Sequence, residues 1–236
     1  MSTIAPTPPM ALPAEPTSAA PFIAIHGDRR TLFRGVPWET YRTLSEAIGE
    51  GEHVRLAYDG KDLEIMTVGN IHEMVKGLTG DVVHEVAAAL DVDYVACGET
   101  TWDAPPRGLQ ADLSYHFEAG KIRIAREAAA RGSKEPSDYP HPDLAVEIDM
   151  SPPQNDRPAI YRDLRVTEVW RLVRLEKLII EQLQPDGSYV AVAESRFLRI
   201  PPEDLLRWVK EGLAEGRPAW TRRLRQWAAA LGQHAP

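Results

Sequence analysis

The chain has 236 residues, of which 43% are hydrophobic and 26% are charged, and its formal net charge is −8. That length is sufficient for a sizeable hydrophobic core, and the negative charge excludes a chain that is basic throughout. The single cysteine excludes an intramolecular disulfide and a cysteine-rich zinc site. No apolar run approaches the length of a membrane span, and the first residues lack the pattern of a secretory signal, so we expect a protein of the reducing cytoplasm with no membrane partner.

Residues 1–20 contain five prolines among Ala, Thr and Ser. A segment with so little to bury cannot offset the entropy lost on ordering, so we predict a disordered arm here. Residues 21–236 are predicted to form a single domain.

The first half of this domain is predicted to combine helices with a β-hairpin. Residues 38–49 place apolar side chains on one helical face. Residues 53–66 alternate apolar and polar on both sides of Asp59-Gly60, which is a strong signal of a β-hairpin. The clearest helix is predicted over 71–90, because its apolar residues recur at steps of three and four.

The second half is predicted to supply most of the strands, at 93–97, 110–117, 142–150, 168–173, 177–184 and 188–194. The stretch 121–131 fits either a strand or a helix. Asp156 is predicted to cap a short helix, and two further helices are expected at about 202–214 and 217–231. This order indicates an α+β or mixed α/β fold, with a central mixed sheet flanked by helices, a β-meander and C-terminal helices.

Carboxylates on apolar strands are the candidate chemistry of this chain. Asp112 lies in QADLSY and Glu147 in DLAVEID, and Asp149 shares a strand face with Glu147 because strand side chains alternate. Buried carboxylates need a partner or a metal, and two of them on neighbouring strands can chelate Mg²⁺ or Mn²⁺. A bound cation can polarise a phosphodiester and activate a water molecule. The alternative is that each acid lies on a solvated strand face.

Residues 142–172 resemble a bacterial family of restriction-endonuclease-like proteins in the PD-(D/E)XK nuclease superfamily. The resemblance covers about residues 35–210 and includes Glu64 and His72 in its early part. The positions that match the family pattern are Ala111-Asp112, Pro142-Asp143-Leu144, Glu147, Ser151-Pro152, Arg157, Tyr161, Val166, Glu168 and Trp170.

The resemblance implies a metal-dependent endonuclease that hydrolyses phosphodiester bonds in DNA through a metal-activated water. It implies that Asp112 and Glu147 are Mg²⁺ (or Mn²⁺) ligands. Glu64 would be a further catalytic acid, and Glu73 at the start of the long helix is the competing candidate for that role.

Two positions depart from the family pattern. Arg157 stands where many members carry Lys, and Asp149 stands where the superfamily name places Lys. Arginine can hold a phosphate but cannot readily donate a proton, so Arg157 is expected to act as a phosphate clamp. Asp149 is either a third metal ligand or a group that raises the pKa of Glu147. These departures also favour an alternative, a catalytically degenerate protein of the nuclease fold that binds nucleic acid or protein.

DNA is the expected partner, and a second copy of the chain is a further candidate through the C-terminal helices. Basic residues in 121–134, together with Arg222, Arg223 and Arg225, are candidates for contact with DNA phosphates. The alternative is that both groups lie on solvated helix faces.

Overall fold

In the computed structural model of the chain, residues 28–49 and 53–233 are described, and they form a mixed α+β fold, as predicted. The α-helices of this part are α1 (Trp38–Ile48), α2 (Asn70–Ala89), α3 (Ala119–Ala130), α4 (Arg157–Asp163), α5 (Pro202–Ala214) and α6 (Arg217–Gln233). Its strands are β1 (Arg29–Phe33), β2 (Val54–Tyr58), β3 (Leu63–Thr67), β4 (Val95–Ala96), β5 (Thr101–Ala104), β6 (Arg107–Gln110), β7 (Leu113–His116), β8 (Leu144–Asp149), β9 (Glu168–Val173), β10 (Lys177–Leu183) and β11 (Tyr189–Ala191).

The strands of the described residues form two sheets rather than the single one predicted. The first sheet is antiparallel and has the order β1-β3-β2-β6-β5. The second has the order β11-β10-β9-β8-β7-β4 and is mixed, because β8 and β9 run parallel and are connected through α4. Of the strand predicted over 110–117, only Gln110 belongs to the first sheet, as the last residue of β6, and Leu113–His116 form β7 in the second sheet.

Strand β8 lies between two apolar layers, and all six of its residues are buried. Leu144, Val146 and Ile148 belong to the larger core, which also contains the apolar faces of α2, α5 and α6. Ala145 points the opposite way, into a smaller cluster that includes residues of the first sheet and α4. The predicted alternation is therefore correct, and it places the side chains of Glu147 and Asp149 on the side of the first sheet.

Burial decides the prediction left open for residues 121–131, and a capping hydrogen bond confirms the one made for Asp156. The ambiguous stretch 121–131 falls mainly in helix α3, because Ile122, Ala125 and Ala128 recur every three residues on its buried side. Asp156 caps α4 as predicted, since its side chain accepts a hydrogen bond from the Ala159 N–H at 3.1 Å.

The predicted arm, residues 1–20, lies outside the described residues, and the single-domain assignment stays a prediction. Within the part of the chain that is described, no helix is long and apolar enough to cross a lipid bilayer.

His116, the last residue of β7, is a fully buried histidine. Its ring centroid lies 5.9 Å from that of Trp102, and neither ring nitrogen has a hydrogen-bond partner among the described residues. Burial lowers the pKa of His116 to about 4, with Asp143 opposing and Lys121 adding to the shift. The folded protein therefore holds this imidazole neutral at neutral pH.

We expect the free energy of unfolding to fall as the pH drops from about 6.5 towards 4, because only the unfolded state takes up a proton on His116 in that range. At 1.36 kcal/mol per pKa unit, the loss between pH 7 and pH 5 is about 2 kcal/mol. Urea unfolding at both pH values measures it. His116→Phe should lack this contribution, whereas a change at the exposed His84, His84→Gln, should keep it. An unchanged pH dependence in His116→Phe would contradict this account of the buried ring.

Candidate active site

Three carboxyl groups meet around strand β8. The sequence predicted Asp112 within a strand, but the structure places it in the break between β6 and β7. Its Oδ2 accepts a hydrogen bond from the Ile148 N–H at 2.7 Å, so the carboxylate lies against β8 between Glu147 and Asp149. All three side chains are at most 2% exposed. The structure therefore brings together the acids Asp112, Glu147 and Asp149, which the sequence proposed as metal ligands.

Glu64, on β3 of the first sheet, reaches the same cluster through two arginines. Its Oε1 accepts hydrogen bonds from Arg30 Nη1 at 2.7 Å and from Arg157 Nη2 at 2.8 Å, and its Oε2 accepts one from the Gln154 N–H at 2.6 Å. Burial by itself raises the pKa of Glu64, but the two guanidinium groups outweigh it and lower the pKa below its ordinary value. Glu64 is therefore an ionised anchor for two arginines.

Arg157 connects the two sheets at this point. As the first residue of α4, it donates from Nη1 to Glu147 Oε2 and from Nη2 to Glu64 Oε1. The Tyr161 hydroxyl, one turn further along α4, donates to the other oxygen of Glu147. The sequence predicted Arg157 and matched Tyr161 to the family pattern, but it gave no indication that both side chains would hold one carboxylate.

Arg30 is a residue of this cluster that the sequence analysis missed. From β1 it donates to Asp149 Oδ1 at 2.9 Å and to Ser151 Oγ at 3.1 Å, in addition to its contact with Glu64. Its side chain is 2% exposed. Arg30 therefore gives Asp149 a cationic partner of its own.

His72, in the first turn of α2, lies between two carboxylates. Its Nε2 is 2.9 Å from Asp112 Oδ1, and its Nδ1 is 3.1 Å from Asp28 Oδ1. Burial alone lowers the pKa of His72, but the hydrogen bonds to Asp112 and Asp28 outweigh it and raise the pKa to about 9. The imidazole is therefore charged at neutral pH and holds Asp112 in place.

Glu73, the competing upstream acid, does not join these residues. Its carboxylate pairs with Lys76 and lies 3.8 Å from Arg55 Nη2, in an ion-pair group that also includes Glu99. Of the two candidates, Glu64 is thus the one that contacts Arg157.

The neighbouring carboxyl groups of Asp112 and Glu147 are shifted in opposite directions. Burial opposes the ionisation of Asp112, but hydrogen bonds from His72 and from the Ile148 N–H lower its pKa. Burial raises the pKa of Glu147 to about 7, against the attraction of Arg157 and with added repulsion from Asp112 and Asp149. Such a pair, one ionised and one titrating near neutral pH, is typical of sites that carry out acid–base chemistry.

The chemistry of these donors suits a hard divalent cation, because carboxylate oxygens are its preferred ligands. Their arrangement does not yet provide a metal site. Among residues 28–49 and 53–233, no three acidic, histidine or cysteine side chains are placed so that they could hold a metal ion. The guanidinium groups of Arg30 and Arg157 contact the acids instead.

The acids of this cluster do not line the cleft that lies beside β5. A cleft of about 860 Å³ lies beside β5 and is lined by Trp102, Asp103 and His141, among others, but by none of the acids of this cluster. The cluster is therefore a candidate site because its charged groups are buried together, and not because it lies in a large cleft.

Most of the basic residues expected to contact DNA have acidic partners within the chain. This weakens the prediction that they contact phosphates, because each pair would have to be broken. The pairs are Lys121–Asp143, Arg123–Glu127, Arg126–Asp93, Arg223 with Glu211 and Glu215, and Arg225–Glu85.

Comparison with known families defines the class of this protein as nuclease-like. A family model described as "Putative restriction endonuclease", named Uma2, matches residues 38–211, which is more than half of the chain. The chain therefore belongs to this family, and the resemblance found in residues 142–172 is confirmed.

Among solved structures, the chain is similar to the crystal structure of a "putative nuclease belonging to DUF820" from Anabaena variabilis ATCC 29413. The two share 12% sequence identity with a TM-score of 0.45, over 74% of this chain and 99% of the other. No curated protein matches the chain.

Proposed function

We propose that the protein is an endonuclease that hydrolyses phosphodiester bonds in DNA and depends on Mg²⁺ or Mn²⁺, with Asp112, Glu147 and Asp149 as the metal ligands. The observation that carries the proposal is the position of Asp112, whose carboxylate lies against β8 beside Glu147 although 35 positions separate the two in sequence. Membership of the family supports the nuclease-like class.

Arg157 is suited to hold a phosphate group. Its Nε is buried and has no hydrogen-bond partner in the described part of the chain, whereas both of its Nη atoms donate to carboxylates. A buried donor without a partner calls for an acceptor, and a phosphate oxygen is one that a guanidinium binds well. Negative charge that develops on the phosphate during hydrolysis would be stabilised by this cation.

While no cation is bound, Glu147 is suited to exchange a proton with water. A carboxyl group with a pKa of about 7 can accept or release a proton near neutral pH, which is the range in which acid–base catalysts work. A cavity of about 30 Å³ beside it, lined by Arg157, Tyr161 and Arg171, is large enough for one water molecule. These features support a role for water in the hydrolysis.

A supercoiled plasmid tests this function directly. We expect the purified chain to convert it to the nicked circle in the presence of Mg²⁺ or Mn²⁺ and to stop when EDTA is added. Cutting that continues unchanged in EDTA would contradict the proposal.

The alternative of a degenerate nuclease fold that only binds its partner is favoured by one observation. Every acid of the cluster already has a basic partner, Arg30, His72 or Arg157. Calorimetric titration with Mg²⁺ distinguishes the two. Binding that is abolished in Glu147→Gln supports the endonuclease, and the lack of any binding supports the degenerate protein.

A further inference from the structure

The strand β1 lies before residues 38–211, which the family model matches, yet it contributes a charged side chain to the cluster of acids. Arg30 and Leu32 share one face of this strand, and Leu32 is paired with Glu64 on β3. Because Arg30 is paired with Met66, two residues from Glu64, its side chain reaches Glu64 diagonally across the first sheet. The same guanidinium group continues to Asp149 of the second sheet.

The cluster still has more acids than bases after Arg30 is counted. The described residues of the cluster are the acids Asp28, Glu64, Asp112, Glu147 and Asp149 and the bases Arg30, His72 and Arg157, with Arg55 at its edge, 3.9 Å from Asp112. Each acid of the cluster contacts one of these bases, so a further cation that binds the acids has to compete with a base already in place.

Arg30 occupies the position at which such a cation would meet Asp149. Its Nη2 lies 2.9 Å from Asp149 Oδ1, and its Nη1 lies 2.7 Å from Glu64 Oε1. A divalent cation on Asp149 would stand next to the guanidinium group, and the two positive charges would repel each other strongly in this buried place.

We propose that Arg30 is a built-in competitor of the divalent cation. Its guanidinium group neutralises Asp149 and Glu64 while no metal is bound, and the cation has to displace it from Asp149. Arg30 thus lowers the affinity of the site for the metal. It also stabilises the buried acids in the folded protein while no metal is bound. This inference rests on the cation site of the proposed function.

Titration of the full chain with Mn²⁺ by calorimetry tests the competition. Arg30→Gln is expected to lower the Kd for Mn²⁺ about tenfold or more, because the repelling charge is gone. Arg29→Gln is the matched control, since Arg29 is exposed and lies next to Arg30 on the same strand, and its Kd should equal that of the wild type. An equal or higher Kd in Arg30→Gln overturns the inference.

Loss of Arg30 leaves Asp149 without its cation, so Arg30→Gln can lose stability. Thermal melts with rising Mn²⁺ cover this case. A larger rise of Tm with Mn²⁺ in Arg30→Gln than in the wild type supports the competition, and an equal or smaller rise contradicts it. In the double variant Arg30→Gln with Asp149→Asn, both charges are absent and the gain in affinity should disappear; a gain that persists contradicts a competition at Asp149.

The two proposals fail in different ways. Equal binding of Mn²⁺ by the wild type and Arg30→Gln contradicts the competition and leaves the endonuclease standing. Plasmid cutting that ignores EDTA contradicts the metal-dependent endonuclease, whatever the titrations show.

Discussion

Glu147→Gln is expected to lower the rate of plasmid nicking by about 10²–10³-fold, which corresponds to the several kcal/mol that a catalytic metal centre contributes. The substitution keeps the shape of the side chain and one oxygen that can accept from Arg157. It replaces the oxygen that accepts from Tyr161 with an NH2 group, and it removes a charge and a proton-exchanging group. Initial rates on supercoiled plasmid, at saturating Mg²⁺, measure the effect.

The same substitution should leave the fold intact. Burial raises the pKa of Glu147 to about 7. Because the unfolded chain ionises this carboxyl more easily, the free energy of unfolding falls as the pH rises from about 4.5 through 7. A neutral Gln avoids this cost, and Tm at pH 8 should not fall. Glu176→Gln, at an exposed acid in the turn between β9 and β10, is the control and should nick at the wild-type rate. A Glu147→Gln protein that is folded and fully active would rule out a catalytic role for this acid.

Arg157→Met is expected to lower the free energy of unfolding by about 3–5 kcal/mol, because it leaves Glu147 and Glu64 buried without the cation that joins them. Methionine retains much of the apolar length of the side chain, so the loss reports the charge and not a cavity. Urea unfolding at pH 7 measures it.

Arg162→Met is the control for this prediction, since Arg162 lies on the same short helix with its side chain 48% exposed. Its effect should stay within about 0.5 kcal/mol, as for most surface substitutions. Adding Glu147→Gln to Arg157→Met should restore part of the stability, because Glu147 has lost its cationic partner whereas Glu64 keeps Arg30. A loss below about 1 kcal/mol in Arg157→Met would show that the buried ion pairs of Arg157 contribute little to the free energy of unfolding.

Local patterns in the sequence were sufficient for most of the elements. Helix α2, the hairpin around Asp59-Gly60 and the meander from β9 to β11 all follow from apolar periodicity and turn residues, and all are confirmed. Strands β1 and β5 were not predicted, and the prediction for β6 included only its last residue, Gln110. All three are short strands of the first sheet, and their pairing with neighbouring strands is a tertiary contact that periodicity does not indicate.

The candidate site was predictable only where a family pattern marked it. Apolar stretches made Asp112 and Glu147 candidates but left a solvated strand face open, and the family pattern favoured the arrangement in which both lie buried beside β8. Arg30 and Asp28 were missed. Two arginines in a row are typical of an exposed surface, but the contacts of β1 with the rest of the fold bury the Arg30 side chain and leave Arg29 exposed.

Several expectations remain predictions. They are DNA as the substrate, Mg²⁺ or Mn²⁺ as the cofactor, a cytoplasmic location and a second copy of the chain as partner. The expected contact of Arg223 and Arg225 with phosphates now has a competing structural role, since both side chains form ion pairs within the chain.

A crystal soaked in Mn²⁺ and measured at the manganese absorption edge tests most directly whether this cluster is a metal-dependent site. We expect an anomalous peak within about 2.5 Å of oxygens of both Asp112 and Glu147. A peak that lies only at other acids of the chain, or no peak under conditions in which the protein cuts plasmid, would contradict it.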